Sequence, residues 1–214
     1  EKQQTVSVTL CPILYQSEQI ASRATELVKD GGCLCILLNT VQQAQEVFQA
    51  VQATGFAGEL LLFHARFPAA RREQIEQRCI RLFGKDTSVR PQKAILVATQ
   101  VVEQSLDVDF DVMMTEIAPI DLVLQRMGRE FRHKDTPRPP HITAPHLYVL
   151  TPEQPERLKR DRSVYPDCLL QQSFHLLEQY KLIRIPEDLP ELVTLGYDPA
   201  AAPPEALTSW LEHQ

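Results

Sequence analysis

The sequence predicts an α/β fold, a parallel sheet flanked by helices, and three observations carry that expectation. Short, continuous apolar runs recur along the chain, as in strands buried on both faces. Amphipathic stretches at helical spacing alternate with them. Helix-start signals follow the runs closely, so strand and helix repeat in the order that builds a parallel sheet.

In chain order, Ile20, Ala24, Leu27 and Val28 recur at helical spacing and predict a first helix. The run CLCILL (33–38) predicts a buried strand. Thr40 and Gln43 have the spacing of a capping box opening a second helix, whose apolar face is Val41, Ala44, Val47, Phe48 and Val51. A second strand is expected at LLLF (60–63), and Pro68 stands where a first-turn proline would open a third helix. AILVA (94–98), VMM (112–114) and LYVL (147–150) complete the strand-like runs. After Arg132 the composition changes. KDTPRPPHITAP (134–145) and the stretch 185–207 are rich in proline and are expected as connecting loop and extended tail. Between them Leu169, Leu170, Phe174, Leu177 and Leu182 mark a helical appendage. The expected organisation is a sheet domain over 1–150 and a helical extension with a proline-rich tail over 151–214.

With 214 residues and 43% hydrophobic content, the chain can bury a substantial core. A net charge of −6 excludes a surface that binds nucleic acid everywhere and leaves room for a local basic groove. The five cysteines, at 11, 33, 35, 79 and 168, lack the paired spacing of a zinc site, so reduced buried thiols and no bound metal are expected. The first ten residues carry no signal-peptide pattern, and no apolar run approaches the ~20 residues that span a bilayer. The expectation is a cytoplasmic protein without a membrane partner.

An alternating strand and helix chain invites a nucleotide-binding reading, yet the seven glycines form neither G-x-x-x-x-G-K-[ST] nor G-x-G-x-x-G. A G-x-S-x-G elbow and an H-E-x-x-H pair are also absent. Two other constellations carry chemistry. In DLVLQRMGREFR (121–132), a continuous helix would set Gln125, Gly128, Arg129 and Arg132 on one face. Glycine costs a helix interior about 1 kcal/mol relative to alanine, so Gly128 implies either a close approach to the backbone or an interrupted helix. The plain alternative is a solvated arginine face paired with Glu116 and Glu130. In ILVATQVVEQSLDVDFD (95–111), a buried strand ends at Thr99 and Gln100 and a polar loop follows with Glu103, Ser105 and Asp107. Ligands of open parallel sheets gather beyond the carboxyl ends of strands, where such groups are expected to act.

These two segments, in this order, resemble motifs V and VI of superfamily-two helicases, with the nearest likeness to the CRISPR-associated helicase-nuclease of type I systems (Cas three). LLNTVQQAQEVFQ (37–49) is similar to motif IV. LLLFHARFPAARREQIEQ (60–77) is similar to the H-x-R-F segment and basic helix that follow it. The likeness runs from about residue 33 to 133 and fades beyond Lys134.

The resemblance implies that residues 1–150 form the second of two RecA-like helicase lobes, with a P-loop NTPase-like fold, and that the phosphate loop belongs to a first lobe absent here. ATP and Mg2+ would be held mainly by that first lobe. This lobe would lend Arg129 and Arg132 as arginine fingers, a device worth on the order of 10³ to 10⁵ in rate. Gln125 and Gly128 would lie near the nucleotide, and Glu103 and Asp107 would link it to nucleic-acid contacts. Thr40, His64, Arg66, Thr99 and Gln100 would line a track for the backbone of single-stranded DNA. The implied partners are the first lobe, single-stranded DNA and the CRISPR surveillance complex (Cascade). Any nuclease metal ions would sit outside this chain, which is expected to be inactive as an ATPase alone. Family members often place a leucine or small residue and then a histidine between the two fingers, where this chain has Glu130 and Phe131. On a helix Glu130 would turn about a quarter-circle away from Arg129. The alternatives are a lobe of another superfamily-two RNA or DNA helicase, or a non-catalytic module whose arginines dock an acidic partner.

Overall fold

The computed structural model describes residues 3–103, 106–154, 164–204, 206–207 and 210. Its strands are β1 (Gln4–Cys11), β2 (Gly32–Leu37), β3 (Glu59–Phe63), β4 (Lys93–Ala98), β5 (Val112–Glu116), β6 (His146–Leu150) and β7 (Leu182–Ile185). They form one sheet in the order β3-β4-β2-β5-β6-β1-β7. Every neighbouring pair is parallel except β1 and β7. The helices are α1 (Ser17–Leu27), α2 (Val41–Ala53), α3 (Ala69–Phe83), α4 (Ile120–Met127), α5 (Asp167–Gln179) and α6 (Leu189–Gly196).

The apolar runs become the centre of the sheet for the reason that made them legible. All six residues of β2 and all five of β5 are buried, because strands inside a parallel sheet are covered on both faces. Fully buried Leu34, Ile36, Ile95 and Leu96 each contribute roughly 1.5–3 kcal/mol of transfer free energy. The five cysteines are free and buried. Burial pushes the Cys33 and Cys79 thiols up to about 12, which keeps them protonated and inert.

Thr40 caps α2 as its spacing predicts, its hydroxyl accepting from the Gln43 backbone N–H at 3.2 Å. Gln43 Nε2 is buried without a hydrogen-bond partner. Pro68 sits one position earlier than expected, as the residue before α3.

Three expectations are corrected. The amino-terminal stretch, read only for targeting signals, forms β1, with Val6 and Val8 turned into the core at period two. Leu182 belongs to β7 and not to the appendage helix; the segment leaves α5 and returns to pair with Val6 and its neighbours in β1. The proline-rich stretch 185–207 is not simply an extended tail. It contains α6, with Pro190 in the first turn, where the missing N–H costs nothing. This helix lies so close to α4 that a Cβ on Gly196 would overlap Ile120 Cγ2. Gly196→Ala is therefore expected to lower stability by about 1–3 kcal/mol through overpacking, read as an earlier midpoint in chemical denaturation.

Candidate nucleotide and nucleic-acid site

The end of β2, the loop after β4 and the end of β5 converge on one side chain that sequence reasoning missed. Arg126 is fully buried. Its Nε donates to Glu103 Oε1 at 2.7 Å, Nη1 to Thr115 Oγ1 at 2.9 Å and to the Glu116 carbonyl at 3.1 Å, and Nη2 to Asn39 Oδ1 at 3.1 Å. Asn39 completes the knot: its backbone N–H donates to Glu116 Oε2 at 2.7 Å and its amide to the Ile117 carbonyl at 2.8 Å. One guanidinium thus joins the end of β2, the loop after β4 and the end of β5. Burial pushes the Glu116 carboxyl up to about 7, opposed by the Asn39 backbone N–H and by Arg126. A sequence signal was present. Arg126 lies three residues after buried Val123 and next to buried Met127, on the apolar face of α4, where a charge must find partners.

The expected single helix over 121–132 does not form. α4 ends at Met127, and Gly128 is its C-cap. Of the two explanations for this glycine, the interrupted helix is the one observed. Gln125 and Gly128 are exposed, whereas Arg129 and Arg132 leave the helix on an irregular segment. That segment lies along the residues just before β5. Phe110 N–H donates to the Arg129 carbonyl and Phe131 N–H to the Phe110 carbonyl, both at 3.0 Å. The backbone of this segment therefore lies near the amino end of β5, while the Arg129 guanidinium reaches back to the loop that follows β4. α4 runs back along β5, so whatever follows it arrives near the amino end of that strand. Glu130 is likewise not on a helix. It is buried, and its Oε1 accepts from His146 N–H at 2.7 Å.

Arg129 is half-buried. Nη2 donates to the Glu103 carbonyl at 3.0 Å and Nη1 to the Leu106 carbonyl. Burial, and after it the neighbouring Arg132, depress its pKa below the ordinary guanidinium value, opposed by Asp107 and Glu103. Arg132 is 41% exposed and donates from Nε to Asp107 Oδ1 at 2.8 Å. Asp107 also meets His133 Nε2 at 2.9 Å and Lys85 Nζ at 3.0 Å. These donors hold its carboxyl far below the usual range, the His133 and Lys85 bonds contributing most. Among the described residues no ion pair joins Glu116 or Glu130 to Arg129 or Arg132, contrary to the plain solvated-face alternative. Glu103, Asp107, Arg129 and Arg132 thus come together, two carboxylates and two guanidiniums, with Lys85 as a further cation on Asp107. Such a donor set fits a phosphate group.

The remaining candidates lie at the carboxyl edge of the sheet. His64 is 3% exposed, stacks on Phe67 at 4.1 Å between ring centroids and has its Nδ1 buried without a partner; burial lowers its pKa. Thr99 is buried, and Gln100 Nε2 donates to the Asn39 carbonyl at 3.0 Å. Thr40 is half-buried at the α2 cap, and Arg66 is exposed. Ser105 lies outside the described residues. Among the described residues no group of three or more His, Cys, Asp or Glu could hold a metal ion, and no helix is long and apolar enough to cross a membrane.

The family model described as CRISPR-associated nuclease/helicase Cas3, C-terminal, matches residues 30–135. The chain belongs to the Cas3 family. It is 37% identical over 183 residues to the CRISPR-associated nuclease/helicase Cas3 of Streptococcus thermophilus, an alignment covering 85% of this chain and 19% of that protein. The chain therefore spans about a fifth of the length of such curated relatives. A crystal structure of T. fusca Cas3 with ATP superposes with a TM-score of 0.88 at 38% identity, covering 98% of this chain and 25% of that one. A chain of a CRISPR RNA-guided surveillance complex, in a pre-nicking state, superposes at 0.83 with 36% identity, covering 98% of this chain and 27% of that one. The α/β fold is thus the RecA-like lobe of the Cas3 C-terminal helicase region.

Two outcomes test the site's construction. Arg126→Ala is expected to cost about 3–5 kcal/mol, because it strands Glu103 and the buried amide of Asn39. Arg132→Ala should cost only about 0–1 kcal/mol, since its ion pair is exposed; urea denaturation of both variants ranks them. The second outcome concerns Glu130, whose carboxyl burial pushes up from 4.5 to about 8. The folded protein then holds a proton that the unfolded chain has released, so this group makes stability fall as pH rises between about 4.5 and 8. Glu130→Gln should accordingly gain on wild type from pH 5 to pH 8, by at least about 1 kcal/mol.

Proposed function

We propose that this chain is the C-terminal motor lobe of an ATP-dependent single-stranded DNA helicase or translocase coupled to a nuclease in type I CRISPR interference. The observation that carries this reading is Arg129: half-buried, held by carbonyls and not by a carboxylate, and pressed by a second arginine. Carbonyls steady a guanidinium without neutralising it, so its charge stays available to an anion that another lobe presents. ATP, when bound to the first lobe with Mg2+, supplies the phosphoryl group whose developing charge such an arginine offsets.

Each other residue has a defined task in this reading. Arg132 exchanges Asp107 for phosphate, and Lys85 and His133 remain to compensate the carboxylate it leaves. Glu103 binds Arg126 through its side chain and Arg129 through its carbonyl, so a shift of the motif V loop reaches both. Gln125 and Gly128 present an exposed surface toward the nucleotide. Thr40, Arg66 and Gln100, with the edges of Thr99 and His64, contact the backbone of single-stranded DNA at the carboxyl edge, using groups that do not read bases. The likeness to a chain of a surveillance complex supports Cascade as a partner of the whole protein, and a prokaryotic cytoplasm is the setting that reading requires.

Turnover tests the reading. In the full-length protein, Arg129→Ala should lower DNA-stimulated ATP hydrolysis by roughly 10³-fold or more while leaving single-stranded DNA affinity within about twofold. The isolated chain should show no arginine-dependent hydrolysis. A docking module for an acidic protein would keep its turnover and lose only that partner.

A further inference from the structure

Arg138 lies beyond the matched residues 30–135, in a proline-rich stretch that the sequence marks only as loop. Its side chain is nonetheless 12% exposed and makes more polar contacts than either proposed finger. Nη2 donates to both oxygens of Asp109, at 2.8 and 2.7 Å, and to the His133 carbonyl at 3.3 Å. Nη1 donates to Asp111 Oδ1 at 2.7 Å and to the Phe110 carbonyl at 3.1 Å. The guanidinium also stands over the Phe131 ring, 4.4 Å from its centroid.

These contacts converge on the segment carrying Arg129 and Arg132. Asp109 Oδ1, held by Arg138, accepts the Arg132 backbone N–H at 2.8 Å. Asp111, its other carboxylate, receives the Cys33 N–H at 2.6 Å and so anchors the assembly in β2. Phe131 lies between the two arginines with φ +49, a left-handed conformation that a bulky residue holds only when its surroundings impose it, at a cost on the order of 1–3 kcal/mol. If Phe131 relaxed to negative φ, the direction of Arg132 would change with it. Phe131 is bonded to the Phe110 backbone and its ring is covered by the Arg138 guanidinium.

We infer that Arg138 is a positioning residue for the phosphoryl-transfer reaction: through Asp109 and Phe131 it fixes the backbone from which Arg132, and with it Arg129, reaches the nucleotide. Arg138 touches no nucleotide itself. Lysine cannot replace it, because a single ammonium cannot fork two carboxylates, reach two carbonyls and cover a ring at once. The inference rests on the finger reading above.

The test uses full-length protein carrying Arg138→Lys. Misplacing a catalytic group by about 1 Å costs up to ~10²-fold. The expected result is therefore a roughly tenfold or greater fall in kcat of DNA-stimulated ATP hydrolysis, with KM for ATP and affinity for single-stranded DNA within about twofold. Should this variant not fold, the charge-balanced pair Asp111→Asn with Arg138→Gln takes its place, and the same split is expected. Wild-type kcat per folded molecule in either variant overturns the inference and makes Arg138 structural only. An inactive Arg129→Ala beside a fully active Arg138→Lys sinks this inference alone. A fully active Arg129→Ala sinks the finger reading beneath it.

Discussion

The lobe depends on the burial of one guanidinium. Arg126 has no exposed surface and takes its partners from the end of β2, the loop after β4 and the end of β5. Burying such a charge costs several kcal/mol unless geometry and hydrogen bonds offset the loss of hydration. Here they do, through Glu103, Thr115, Glu116 and Asn39. The consequence is specificity of arrangement more than stability: no one of these three segments can shift without stranding a buried donor or acceptor.

A second set of charges performs the same task at the other end of β5. Asp109, Asp111, Arg90 and Arg138 are all largely buried, two of each sign. Between the two knots runs the loop through Glu103 and Asp107, and on it rest Arg129 and Arg132. Rigid anchors flank a stretch whose own bonds are cheaper to exchange: carbonyl contacts for Arg129 and an exposed ion pair for Arg132. That contrast suits the proposed role, in which these side chains let go of their own lobe to meet a phosphate on another.

The central strands and the first three helices were legible because their burial is two-sided or periodic, and periodicity is written in the sequence. β1 and β7 were less so. β7 is four residues long at the sheet edge, and its pattern, LIRI, has too few positions to declare a period. α6 was hidden by its prolines, which read as loop unless their first-turn position is known. At the site, the motifs located Glu103, Asp107, Arg129 and Arg132, and the structure brings these four together. The helical face drawn through Arg129 and Arg132 failed because Gly128 ends α4, an outcome that composition permits without choosing. Arg126 and Arg138 escaped notice for a shared reason. A buried arginine is recognisable only through partners distant in sequence, such as Asn39 for one and Asp109 for the other.

The most direct test of the motor account is an experimental structure of the full-length protein holding a nucleotide that mimics the transferring phosphoryl group. The account predicts Arg129 released from the Leu106 carbonyl, with a guanidinium nitrogen about 2.7–3.1 Å from an oxygen of that group. An Arg129 still seated on the Glu103 and Leu106 carbonyls in the closed, nucleotide-bound state would contradict it.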